Sequence, residues 1–175
     1  MALIRRLIVI ILTGAAVGLV LIWANWRGEV LPPDTKADRV TIEKSERRLA
    51  LYKDGRLMKG YKISLGRSPI GQKEREGDRR TPEGRYHIDF RKPDSAFHRA
   101  LHISYPNIRD VEAAKQKGVS PGGDIMIHGI RNGMGWLGKL HRLVDWTAGC
   151  IAVTDWEIEE IWMAVPDGTP VEIKP

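Results

Sequence analysis

The 175-residue chain holds one thiol, Cys150, within Asp145-Trp146-Thr147-Ala148-Gly149-Cys150-Ile151-Ala152-Val153-Thr154. A single cysteine excludes an internal disulfide and every zinc site built from two or more thiolates. Any chemistry it performs is that of a free thiol, and a nucleophilic thiol needs a base to become thiolate near neutral pH. Gly149 admits unusual backbone geometry and close approach by a ligand just before the sulfur. If the chain continues extended, Ile151 and Val153 turn to the core while Cys150 and Ala152 face the other way. The small flanks Ala148, Gly149 and Ala152 leave space for a substrate. Backbone N–H groups of the turn at Thr147, Ala148 and Gly149 are candidates for an oxyanion hole. The competing role for a lone cysteine is that of a small buried hydrophobe.

The same register reasoning selects a base. In Asp124-Ile125-Met126-Ile127-His128-Gly129 the isoleucines alternate toward the core, so His128 ends a strand on the opposite face, followed by glycine and an Arg131-Asn132-Gly133 loop. His141 is the rival, nearer Cys150 along the chain. His98 and His102 have the spacing H-x-x-x-H, which on a helix could hold a metal. Leu101, Ile103 and Tyr105 mark that segment as a strand, where four residues span about 13 Å, too wide for one zinc. No metal is expected.

These residues must be delivered by a mostly β scaffold. Val40 and Ile42, then Leu49 and Leu51, alternate with polar residues. Asp54-Gly55 separates that run from Leu57, Tyr61, Ile63 and Leu65, a strong hairpin signal. Tyr86-Ile88-Phe90, Leu101-Ile103-Tyr105 and Ile125-Ile127 continue the period of two. Residues 66–84 are too rich in Gly, Pro and charge for regular structure and read as a long exposed loop. A short helix is predicted from Asp110 to Lys117. A better one starts at Thr154, whose T-D-W-E pattern with Glu157 is a capping box, and ends at Pro166 with Ile158, Ile161, Trp162 and Val165 on one face. Val171 and Ile173 form a last strand.

Ahead of this domain, Arg5 and Arg6 precede an uncharged run from Leu7 to Trp26. Twenty residues at about 1.5 Å each span roughly 30 Å, the thickness of a bilayer core. The run offers no A-x-A-like cleavage site, its arginines keep the start cytoplasmic, and Trp23 and Trp26 suit the far interface. The chain is therefore expected to carry a signal anchor or transmembrane helix over residues 1–27, a Pro-stiffened linker over 28–37, and one folded domain over 38–175 outside the cytoplasm. The net charge is +6, but Lys and Arg are scattered among acids and do not interleave with aromatics, which argues against nucleic acid and fits an anionic envelope polymer.

Ile127-His128-Gly129 followed by Thr147-Ala148-Gly149-Cys150-Ile151 resembles the signature of the L,D-transpeptidases with a YkuD-type catalytic domain. Asp78-Arg79-Arg80-Thr81-Pro82-Glu83-Gly84 resembles their Thr-Pro-x-Gly turn, and residues 97–107 (FHRALHISYPN) with DWTAGCIAVT resemble the YafK-like branch. The resemblance covers about residues 38–175 and implies a mainly β (α+β minor) YkuD-like β-sandwich with one packed helix. It implies Cys150 as nucleophile and His128 as base, with no cofactor, acting on peptidoglycan stem peptides. The thioester would pass to a second stem peptide or to the lysine of an envelope lipoprotein, at the periplasmic face of the inner membrane. Arg131, Arg142, Arg79 or Arg80, with His141 and Trp146, are candidates to hold substrate. Ala148 and Ala152 stand where the family usually has His and Asn or Arg, so a peptidoglycan amide hydrolase using the same pair is one alternative. A membrane-anchored wall-binding module without turnover is another.

Overall fold

The computed structural model describes residues 2–175. Helix α1 (Ala2–Asn25) is apolar beyond Arg5 and Arg6, with a mean hydropathy of 2.7 over its best window, and is long enough to cross a membrane. Eight strands follow: β1 (Arg39–Glu43), β2 (Arg48–Lys53), β3 (Arg56–Lys62), β4 (Gly84–Ser95), β5 (His98–Ile103), β6 (Met126–His128), β7 (Ile151–Ala152) and β8 (Pro170–Lys174). They form one sheet in the order β3-β2-β1-β8-β4-β5-β6-β7. The β1–β8 and β6–β7 pairs are parallel and the rest antiparallel. Beyond β3, the chain pairs Ser64 with Ala152 and Gly66 with Thr147, so the two edges of the sheet meet. Ile42, Leu49, Ile63, Leu65, Ile88, Leu101, Ile103, Ile127 and Ile151 are sealed in the resulting core. Each such side chain contributes roughly 1.5–3 kcal/mol through burial.

The expected turn at Asp54-Gly55 is present, with both residues at positive φ (50° and 76°) between β2 and β3. Alternation fails in two places. Phe90, expected inside, is exposed and stacks on His102 at 4.3 Å, because the β4–β5 register slips between Ile88 and Phe90. Leu57 is likewise exposed, next to an irregularity opposite Leu51 and Tyr52. β4 bends through these irregularities, its first part pairing with β8 and its second with β5.

Helix α2 (Ile108–Gln116) begins two residues earlier than expected, because Asn107 caps it reciprocally with Asp110. Helix α3 (Asp155–Ala164) carries the expected Thr154–Glu157 capping box and buries Ile158 and Ile161 against the sheet. A 3₁₀ helix (Gly135–Leu143), kinked at Gly138, was not foreseen. Residues 67–83 have no regular element, yet they are not simply exposed. Lys73 and Thr81 are buried, Lys73 pairs with Asp78 at 2.8 Å, and the buried Lys44 ammonium bonds the Gly71 and Thr81 carbonyls and Glu83. Charged side chains thus satisfy the loop's backbone and hold it down. The Pro-containing linker also docks: the Leu31 amide donates to Glu160, and Lys36 donates to the Met163 carbonyl.

Candidate active site

Cys150 lies at the end of a turn that the sequence fixes from both sides. Thr147 Oγ1 donates to the Cys150 carbonyl at 2.7 Å and accepts from the Gly149 N–H at 3.1 Å. The Thr147 amide donates to the Leu65 carbonyl, and Asp145 takes both the Leu65 amide and the Arg47 guanidinium. Gly149 has φ +136°, and a Cβ there would stand 2.8 Å from the Arg80 carbonyl oxygen, so the turn requires glycine. Its N–H is already engaged by Thr147, which removes Gly149 from the candidate oxyanion donors and gives Thr147 a bracing role.

The thiol faces a cavity of about 910 Å³ whose walls include Phe97, Met126, His128, Arg131, Met134, Leu137, His141, Trp146, Ala148 and Cys150. Its Sγ donates to the Asp124 carbonyl at 3.4 Å. Burial pushes the thiol pKa up, opposed by the Met126 backbone amide. β6 delivers His128 to the same cavity, buried on the face opposite the core residue Ile127. His128 Nδ1 lies 2.7 Å from the Gly129 carbonyl. A carbonyl can only accept, so Nδ1 carries the proton and Nε2 is left with its lone pair. Burial lowers the His128 pKa to about 4 despite that bond, so the imidazole is neutral near pH 7.

His141 shares the cavity but has the opposite tautomer. Its Nδ1 accepts from the Trp146 indole N–H at 3.3 Å, which places the proton on Nε2. That Nε2 is buried without a partner among the described residues. Burial, with the charges of Arg142 and His128, lowers its pKa to about 3. His141 is therefore built as a donor and not as a base. Trp146 stands between the two imidazoles, 5.7 Å from His128 and 6.3 Å from His141, and Phe97 covers His128 at 4.6 Å.

Of the four candidate arginines, only Arg131 lines this cavity. Arg142 is turned away and paired with the buried Glu157. Arg80 bonds the Gln72 carbonyl within its own loop, while Arg79 contributes its carbonyl to Ser68. His98 and His102 each have a separate carboxylate partner, Glu159 at 2.7 Å and Asp89 at 2.6 Å. Phe97, Met126 and the apolar residues of the 3₁₀ wall were missed by sequence reasoning, which named only His141 and Arg142 from that element. Phe97 carried a signal, since it precedes β5, whose partner strand β6 delivers His128.

Residues 37–173 match the model of the YkuD family, the L,D-transpeptidase catalytic domain. The chain is 33% identical over 132 residues to the protein named "Putative L,D-transpeptidase YafK" of Escherichia coli K12, covering 72% of this chain and 46% of that one. Among solved structures, the helical cell shape determining protein Pgp2 of Campylobacter jejuni superposes with a TM-score of 0.61 at 26% identity, covering 90% of this chain and 54% of Pgp2. The L,D-transpeptidase of Xylanimonas cellulosilytica superposes at 0.52 and 16% identity, over 89% of this chain and 68% of that one, a likeness of fold. The chain spans about half the length of the curated relatives it matches.

Proposed function

The chain belongs to the L,D-transpeptidase catalytic-domain family, and from that premise we propose that Cys150 and His128 carry out acyl transfer on peptidoglycan stem peptides. The observation that carries the reading is the His128 tautomer: Nδ1–H is held by the Gly129 carbonyl, so Nε2 is the free base in the cavity that holds the chain's one thiol. The pair rests as neutral thiol and neutral imidazole, so proton transfer accompanies attack. Cys150 Sγ bonds to the carbonyl carbon of the stem's third residue while Nε2 takes the thiol proton. The C–N bond to the terminal D-alanine then breaks, and His128 returns the proton to the departing amine. A second amine attacks the thioester, giving the new amide and restoring the thiol.

The backbone amides of Ala148 and Cys150 are the oxyanion donors in this reading, Gly149 being engaged by Thr147. His141 Nε2–H supplies a neutral donor to the bound peptide, and Arg131 is the cationic group placed for a carboxylate. The long apolar α1 acts as an uncleaved anchor that keeps the domain at the outer face of the cytoplasmic membrane.

The test is incubation of the full chain with purified muropeptides, with products identified by mass spectrometry. Muropeptide dimers, or stems joined to an added amine, are expected. Shortened stems without a new amide would assign the thioester to water and make the protein a hydrolase. Unchanged muropeptides would overturn turnover and leave a binding module.

A further inference from the structure

The 3₁₀ helix that walls the cavity has a second face, turned toward α1. Asn25 Nδ2 donates to the Trp136 carbonyl at 2.9 Å. Ala24 is fully buried while most residues of α1 are exposed. At Gly138 a Cβ would come within 2.3 Å of the Ala24 carbonyl oxygen, so this close approach requires glycine. Lys139 Nζ lies over the Trp23 ring at 5.8 Å. The contact centres on Trp23–Asn25, the end of the apolar run, where indole rings mark the boundary between hydrocarbon and water. A segment that touches an anchor at this level is itself held at this level.

The outward residues suit that place. Trp136 is 60% exposed, Leu143 79% and Val144 65%. These large apolar groups share the segment with Lys139, whose ammonium complements anionic head groups. The linker adds little freedom, since Leu31 and Lys36 bond to α3.

We infer that the 3₁₀ helix together with Val144 is a bilayer-contact face, laid at head-group level in the membrane that α1 crosses. The inference rests on the anchor reading given above. Leu137, Leu140, His141 and Val144 belong both to this segment and to the cavity wall, so the cavity lies at the membrane surface. A stem peptide tethered to the bilayer reaches Cys150 there without leaving that surface.

The test uses the full chain in nanodiscs whose lipids carry bromine near the head-group end of the acyl chain, with quenching of tryptophan fluorescence as readout. In a Trp23→Phe/Trp26→Phe background, quenching is expected to persist, to vanish on adding Trp136→Phe, and to fall on adding Leu143→Glu. Quenching of Trp23 and Trp26 in the unaltered chain, with none left in that background, overturns the contact face and leaves the anchor standing. Absence of quenching in the unaltered chain, together with a purified mass lacking residues 1–26, overturns the anchor and the contact face with it.

Discussion

Cys150→Ala should abolish turnover and leave the fold intact, because the side chain faces a cavity and its contact with the Asp124 carbonyl is a long one, 3.4 Å. His128→Ala should lower the rate about 10²–10⁴-fold, the usual worth of a general acid–base. His141→Ala should cost far less in kcat and act mainly on KM, since its tautomer makes it a donor to bound peptide. Rates of covalent mass gain at Cys150 with a carbapenem, measured on each variant, check the ranking, and a larger loss for His141→Ala than for His128→Ala would reverse the roles. The pH profile is a second check. His128 works as base only when neutral, and its pKa is lowered from the ordinary imidazole value to about 4. The acid limb of kcat/KM should accordingly lie near pH 4 and not near 6.5. Stability follows the same sign: the native state excludes a proton that the unfolded chain binds below about pH 6.5. This part of the stability is complete above 6.5 and is lost as pH falls through 4, of order 3 kcal/mol. Urea titrations at pH 7 and pH 4.5 should show that loss shrink in His128→Gln. The placement of the thiol and the strand histidine on one cavity was legible because Gly149 and the alternation Ile125-Ile127 state their backbone geometry locally. The tautomer of His141 was not, because it depends on the Trp146 indole, nor was the pairing of Arg142 away from the cavity, because its partner Glu157 lies 15 residues further on.

At the scale of elements, α3 was readable from its capping box and its apolar face, and the same residues make it testable. Thr154→Ala removes one half of the box and should cost about 1 kcal/mol. The corresponding fall in Tm is roughly 2–4 °C for a domain of this size. Glu157 does more than close the box, since its Oε2 accepts from the Thr154 amide and hydroxyl and also pairs with Arg142 in the last turn of the 3₁₀ helix. Glu157→Gln should therefore lower Tm further than Thr154→Ala and loosen the cavity wall. Faster hydrogen exchange in the peptide covering residues 135–143 would show this, and unchanged exchange there would separate the cap from the site. The 3₁₀ helix itself escaped sequence reading. Gly135 and Gly138 interrupt any helical pattern, and its apolar residues divide between the cavity and the outside instead of forming one stripe. β4 misled for a related reason: its alternation is regular in sequence, but the register slips after Ile88 turn Phe90 outward.

For the molecule as a whole, the question is whether α1 is discarded or kept. Composition alone cannot separate an anchor from a removable leader, since both are apolar and near the amino terminus. The packing of the last turn argues for retention. Ala24 is buried against a glycine that no other residue could replace without a clash, and Asn25 bonds the Trp136 carbonyl. Cleavage before residue 27 would expose Gly138 and strip that carbonyl of its donor, next to the wall that carries His141. The mature protein is thus expected to keep residues 1–26, to stay in the membrane pellet through alkaline carbonate extraction, and to show the intact mass of the whole chain. A purified mass short by those residues, or release into the carbonate supernatant, would make α1 a leader and its contact with the 3₁₀ helix a transient one. Gly138→Ala tests the contact in the retained chain. Its Cβ would collide with the Ala24 backbone and its φ of +47° is strained for alanine in any case, so Tm should fall by several degrees with α1 present. Part of that fall should disappear when Gly138→Ala is compared with its parent in chains lacking residues 1–26, since only the backbone strain then remains. An equal fall in both backgrounds would show that α1 does not pack there.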